Sequence, residues 1–171
     1  TKSCLNTSVI LIGGDTTKSP DKLLISITAI GTINNTNIKY RTTAQVDDFI
    51  CMIGNLGHAH LGLMALEKKL DGFEKYQNSF LEPLAKLHEG QWLSEQSSIT
   101  AMMDISDGLY IDLKRFCQAS NVQGNIFLEN LKPVPDFISA CNQLDILPKN
   151  TMLSGGEDYG LLFTVEEQQY P

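Results

Sequence analysis

The chain has 171 residues, a formal charge of −7 and a pI near 4.8, with 42% apolar and 19% charged residues. That composition belongs to a folded globular protein, and the length admits one domain with a core, or one domain and part of another. The acidic balance leaves no basic face to displace counterions from nucleic acid, no apolar run approaches the ~20 residues of a membrane span, and no basic-apolar leader opens the sequence.

From the start of the chain, "SVILIGG" (Ser8 to Gly14) reads as a short buried strand stopped by two glycines. "KLLISITAIGTI" (Lys22 to Ile33) is rich in β-branched residues and apolar on both faces, which predicts a strand covered on both sides, such as one at a subunit contact. "NNTN" (Asn34 to Asn37) is turn chemistry and marks a domain boundary. "DFICMIG" (Asp48 to Gly54) is the next strand. A helix is expected from His58 to Asp71, with Leu63, Leu66 and Leu70 on one face and Gly72 as its stop. A second runs from Phe80 to Glu89 and ends at Gly90. "SITAMMD" (Ser98 to Asp104) is a strand. The following segment places Leu109, Leu113, Phe116 and Cys117 at helical spacing. "NIFLE" (Asn125 to Glu129) and "YGLLFTV" (Tyr159 to Val165) read as strands, with a helix near Pro135 to Leu144. The alternation gives an α/β or α+β class. The four scattered cysteines, Cys4, Cys51, Cys117 and Cys141, sit in apolar contexts and read as reduced core thiols of a cytoplasmic protein.

Three acidic groups stand at turns. In "GGDTT" (Gly13 to Thr17), Asp15 could hold Mg²⁺ beside phosphate-binding backbone amides, or could form an Asx turn to Thr17. In "MDISDGL" (Met103 to Leu109), Asp104 ends a strand, and Ser106 or Asp107 could cap the following helix. Capping accounts for one acid and leaves Asp104 unexplained. "SGGEDY" (Ser154 to Tyr159) again sets carboxylates between glycines and a strand, as a turn or a site. Mg²⁺ takes only one or two carboxylates per ion, so a polyphosphate site calls for several separated aspartates. His58 and His60, two apart at a helix start, diverge and suit joint metal ligation poorly.

In this order, "GGDTT", "DISDGL" and "SGGEDY" resemble the thiamine-monophosphate kinase family of the aminoimidazole-ribonucleotide-synthetase-like superfamily. "ITAIGTI" at 27–33, "IGNLGHAHLGL" at 53–63 and "LLFTV" at 161–165 are looser matches. The resemblance implies residues 1–40 as the tail of an N-terminal ATP/Mg-binding domain and 41–171 as a C-terminal α/β domain truncated at its end, built on a mixed sheet with packed helices. It implies transfer of the γ-phosphoryl of ATP to thiamine monophosphate, several Mg²⁺ ions bridging the phosphates. Asp15 and Asp104 would be Mg²⁺ ligands and Asp107 would hold a further ion. Gly14, Asp15, Arg41 and Ser106 would contact ATP, and Glu157 would face the thiamine substrate. No catalytic base is implied, since the acceptor phosphate is ionised at neutral pH. The strand at 22–33 would serve a homodimer, and neither nucleic acid nor membrane is a partner.

Two segments depart from the family pattern. Its "GDSAAGL" reads "GHAHLGL" here, and its "RPxPR" reads Glu82-Pro83-Leu84-Ala85-Lys86. The family's upstream metal-binding aspartates lie outside these residues. The expectation is therefore weak nucleotide binding without unaided turnover. The alternative is a truncated, non-catalytic nucleotide-binding or interaction module of the same fold.

Overall fold

The computed structural model describes residues 4, 7 and 9–167. The chain divides into two compact units, Thr1–Asn35 and Thr36–Pro171. In the first, no helix or strand is assigned over residues 9–34. The strand expected at Lys22 to Ile33 is not formed, nor is the part of the Ser8 to Gly14 strand that falls on described residues; Ser8 itself lies outside them. Leu23, Leu24, Ile27 and Ile30 are each more than 80% exposed. Apolar, β-branched sequence supplies the side chains of a buried strand, but the ladder requires a neighbouring backbone, which is a non-local requirement.

The second unit contains every strand among the described residues. β1 (Phe49–Ile53), β2 (Ile99–Ile105) and β3 (Gly160–Val165) form an antiparallel sheet in the order β1-β3-β2, so the last strand in sequence is central. β1 pairs Phe49 with Val165 through to Ile53 with Leu161. On the other side, Ile99 faces Val165 but Ala101 faces Thr164, leaving an irregularity at Thr100. Residues two apart in a regular strand share a face; an extra residue reverses that. Accordingly Ile99 packs with Leu93 and Phe163 on one side of the sheet, while Ala101 and Ile105 pack with Leu109, Leu113 and Phe116 on the other. The Thr100 hydroxyl lies 2.5 Å from Asp48 Oδ2 and 2.6 Å from the Thr164 hydroxyl, which satisfies polar groups at the break.

Six α-helices accompany the sheet among the described residues: α1 (His58–Lys68), α2 (Glu74–Leu81), α3 (Leu87–Glu95), α4 (Leu109–Ser120), α5 (Pro135–Gln143) and α6 (Pro148–Ser154). The mixed helix–strand class expected from the sequence is the one observed. α4 buries Leu109, Leu113, Phe116 and Cys117, the four residues its periodicity selects, together with Asp112. α1 differs from expectation: its buried face is His58, Ala59, Leu61, Gly62 and Ala65, while Leu63, Leu66 and Leu70 are only half-buried. The cause is close helix packing. A Cβ at Gly62 would overlap the Tyr76 carbonyl of α2, so the glycine side is the one that approaches. α1 ends at Lys69 in a left-handed conformation, whose N–H reaches back to Leu66 and Ala65, rather than at Gly72.

The single helix expected over Phe80 to Glu89 is two helices, α2 and α3, with Glu82 and Pro83 in the break and Gly90 inside α3. Pro83 disfavours helical backbone at Glu82, and the φ of −134° and ψ of 66° there lie outside the helical region. Residues 125–129 form no strand; Asn130 N–H closes a turn on the Phe127 carbonyl at 2.9 Å. α6, seven residues opened by Pro148, was not expected. Cys117 and Cys141 are buried and Cys4 and Cys51 half-buried, so core placement holds for two of them. No described helix is long and apolar enough to cross a membrane.

Candidate functional site

The loop from β2 to α4 and the loop from α6 to β3 carry the second and third acidic motifs, and the fold joins them. The Glu157 N–H donates to the Ser106 carbonyl at 2.7 Å. A Cβ on Gly156 would stand 2.9 Å from that same oxygen and 3.2 Å from the Asp107 carbonyl carbon, so only glycine permits this approach without a shift. Gly108, at φ +113°, lies equally close to the Ser154 and Gly155 backbone. Asp104, Asp107, Glu157 and Tyr159 are all exposed. Tyr159 donates to Glu157 at 2.8 Å; that hydrogen bond first, then partial burial and the charges of Glu157, Asp104 and Asp107, raise its phenol above the usual tyrosine range. Three carboxylates from two distant segments thus share one electronegative face.

Ser106 and Asp107 do not cap α4. Gly108 occupies the N-cap position and makes no side-chain cap bond. Instead Asp112, in the first turn and 1% exposed, reaches back: its Oδ2 accepts the N–H groups of Ser106 at 2.9 Å and Asp107 at 2.8 Å. Its other oxygen accepts from Arg115 Nη1 at 3.1 Å, and the same nitrogen donates to Asp107. The buried carboxylate therefore fixes the loop's backbone while the Asp104 and Asp107 side chains face outward. The acid in "LYIDL" is a polar interruption on the buried helical face, which is a legible signal, though its targets are not.

The two acids of "GGED" divide their work. Asp158 binds the start of α1, about a hundred residues away: the Gly57 N–H donates to its Oδ2 and the Ala59 N–H to its Oδ1, at 2.5 and 2.8 Å. α1 has no cap of its own, because Gly57 stands there, and Asp158 supplies the missing acceptors. Burial nevertheless pushes its carboxyl up to about 6, against the lowering effect of those amides. Glu157, at φ +67°, turns the other way onto the open face.

The departures at His58 and Glu82 meet in one place. Both line a pocket of about 440 Å³ with Lys75, Lys86 and Asp158. His58 stacks on Phe137 at 5.3 Å and meets the edge of Tyr76 at 5.0 Å. Burial, with Lys75 adding and Asp136 opposing, lowers its imidazole to about 4. This pocket and a larger one of about 860 Å³ lined by residues of β1 and α4 include none of Asp104, Asp107 or Glu157.

The remaining candidates belong to other segments of the sequence. Asp15, in the first unit, accepts from Thr16 N–H at 2.8 Å rather than forming the turn to Thr17. Gly14 beside it is exposed. The Arg41 carbonyl accepts from the Ser120 hydroxyl at 2.9 Å, which sets Arg41 beside the last residue of α4. Ser106 and Asp107 precede the first. At 1.5 Å per residue α4 is about 18 Å long, so a ligand touching both ends must be elongated. Among the described residues no three His, Cys, Asp or Glu side chains converge as a metal cluster. The exposed donors Asp104 and Asp107 suit an oxygen-seeking cation that takes one or two carboxylates and completes its shell with water and phosphate.

Residues 45–169 match the family described as AIR synthase related protein, C-terminal domain, and the chain belongs to that family. Within it, the chain is 33% identical over 165 residues to thiamine-monophosphate kinase of Buchnera aphidicola subsp. Schizaphis graminum, covering 92% of this chain and 49% of the relative. The crystal structure of thiamine monophosphate kinase from Aquifex aeolicus superposes with a TM-score of 0.71 at 28% identity, over 78% of this chain and 46% of that one. A structure of AaThiL complexed with AMPPCP and TMP gives 0.69 at 30%, over 77% and 43%. The chain therefore spans about half the length of the curated relatives it matches, and the sequence resemblance drawn from its motifs agrees with these relatives.

Proposed function

We propose that this chain is part of an ATP-dependent kinase that phosphorylates thiamine monophosphate to thiamine diphosphate. The observation behind the reading is the Glu157-to-Ser106 hydrogen bond, which holds the "DISDGL" and "SGGEDY" loops as one face bearing Asp104, Asp107 and Glu157. In this reading residues 1–40 are the end of a nucleotide-binding domain and 41–171 the second domain. Asp15 and Asp104 are Mg²⁺ ligands and Asp107 holds a further ion. Gly14, Asp15, Arg41 and Ser106 contact ATP, with Arg41 meeting the end of the nucleotide remote from Asp104. Glu157 orients the thiamine phosphate.

When bound, Mg²⁺ neutralises the charge of the transferring phosphoryl group. The chain's own part is positioning. Asp112 fixes the loop backbone at Ser106 and Asp107, and Gly156 lets Glu157 approach it. Phosphoryl transfer asks little covalent chemistry of the protein, so the reading assigns no general base. The exposed apolar stretch from Leu23 to Ile30 suits a homodimer formed through that segment, and a cytoplasmic location goes with the substrates.

Calorimetric titration with AMPPCP, with and without Mg²⁺, tests the reading. Metal-dependent heat that disappears in Asp104→Asn and changes on adding thiamine monophosphate is expected, without turnover by these residues alone. The non-catalytic module of the same fold draws on His58, which packs as a core aromatic rather than serving as a polar loop residue. That reading requires no Mg²⁺-dependent heat.

A further inference from the structure

We infer that Arg115 is a built-in counter-ion of the Asp107 face, standing where a divalent cation would otherwise place its charge and so weakening the hold of that face on metal. The inference rests on the reading that this face takes a metal-bound nucleotide. One guanidinium nitrogen, Nη1, donates both to Asp107 Oδ2 and to Asp112 Oδ1. Asp112 is buried, and both its oxygens are engaged, one with two backbone amides and one with Arg115. Arg115 is thereby anchored from the interior, three residues along the same helix. Its outer contact is the half-exposed Asp107 carboxylate, on which no other described ion pair falls.

A cation approaching Asp107 meets a positive charge already in contact with it. It must displace the guanidinium or share the carboxylate at the cost of repulsion. Asp112 does not lose its support when Arg115 leaves, because the two amide bonds remain. The outer pair can therefore open without melting the loop.

The test is Mn²⁺ binding, read from the free-ion EPR signal, for the 171-residue chain and its variants. Arg115→Gln is expected to tighten Mn²⁺ about twofold to fivefold, the range of an exposed charge pair, and Arg115→Lys to stay near the unsubstituted value. Asp107→Asn weakens binding, and the gain vanishes in the Arg115→Gln/Asp107→Asn double variant. Unchanged or weaker binding in Arg115→Gln, with its far-UV circular dichroism intact, overturns the inference and leaves the kinase reading standing. No Mn²⁺ binding by any variant, with or without AMPPCP, overturns both. Should the glutamine variant not fold, the unsubstituted chain decides: the Arg115 guanidinium NMR signal moves toward that of free arginine as Mg²⁺ is added. A signal still unmoved at saturating Mg²⁺ overturns the inference.

Discussion

Replacing Asp158 by Asn alters how stability depends on pH, and the size of the change follows from the geometry. The Asp158 carboxyl is raised from 3.8 to about 6, because burial outweighs the amides of Gly57, His58 and Ala59. In the unfolded chain the group loses its proton near pH 4, whereas in the folded chain it keeps it until about pH 6. Between those values the folded state binds more protons, so stability falls as pH rises, and the contribution is fully present only below about pH 4. At about 1.4 kcal/mol per pH unit, the displacement corresponds to about 3 kcal/mol.

His58, next to these amides, works in the opposite sense. Its imidazole is lowered to about 4, so its contribution is present above pH 6.5 and is lost as pH falls through 4. In the unsubstituted protein the two slopes oppose each other. Asparagine cannot titrate and presents one amide N–H group to a backbone donor, at a cost of about 1–3 kcal/mol that does not vary with pH. The stability lost in Asp158→Asn, measured by urea denaturation followed by circular dichroism, should therefore be about 2–3 kcal/mol larger at pH 4 than at pH 7. A difference that stays constant to within about 0.5 kcal/mol, or that grows toward pH 7, refutes the reasoning. Growth toward pH 7 means the helix amides, not burial, govern this carboxylate.

Gly62→Ala forces a methyl group into the Tyr76 carbonyl, where neither helix backbone can yield cheaply. It should destabilise the protein by about 2 kcal/mol, lowering the thermal midpoint by roughly 4–8 °C, and a neutral effect would show that α1 and α2 are less closely packed than described. Gly156→Ala pushes the two motif loops apart at Ser106. Its expected outcome in calorimetry is loss of most Mg²⁺-dependent AMPPCP heat with helix content retained; heat equal to that of the unsubstituted chain counts against the joined face.

The class of fold, the α4 helix and the acidic motifs were legible because each is written locally. Leu109, Leu113, Phe116 and Cys117 recur at helical spacing, and glycine beside aspartate marks a turn wherever it occurs. The extents of other elements were less legible for the same reason. Gly90 carries the composition of a stop but sits within α3, since packing of Leu93 against the sheet outweighs a single glycine. The apolar run at 22–33 has a strand's side chains but, among the described residues, no partner backbone.

What the acids do was decided only in three dimensions. Asp158 and Glu157 are adjacent in sequence, yet one completes a helix terminus a hundred residues earlier while the other faces outward. The division follows from where α1 begins relative to β3, which no local pattern encodes. Asp112 reads as a misplaced charge on a helix face until the amides of Ser106 and Asp107 are brought to it. A buried carboxylate persists only where donors converge, and convergence of segments far apart along the chain is a property of the tertiary structure.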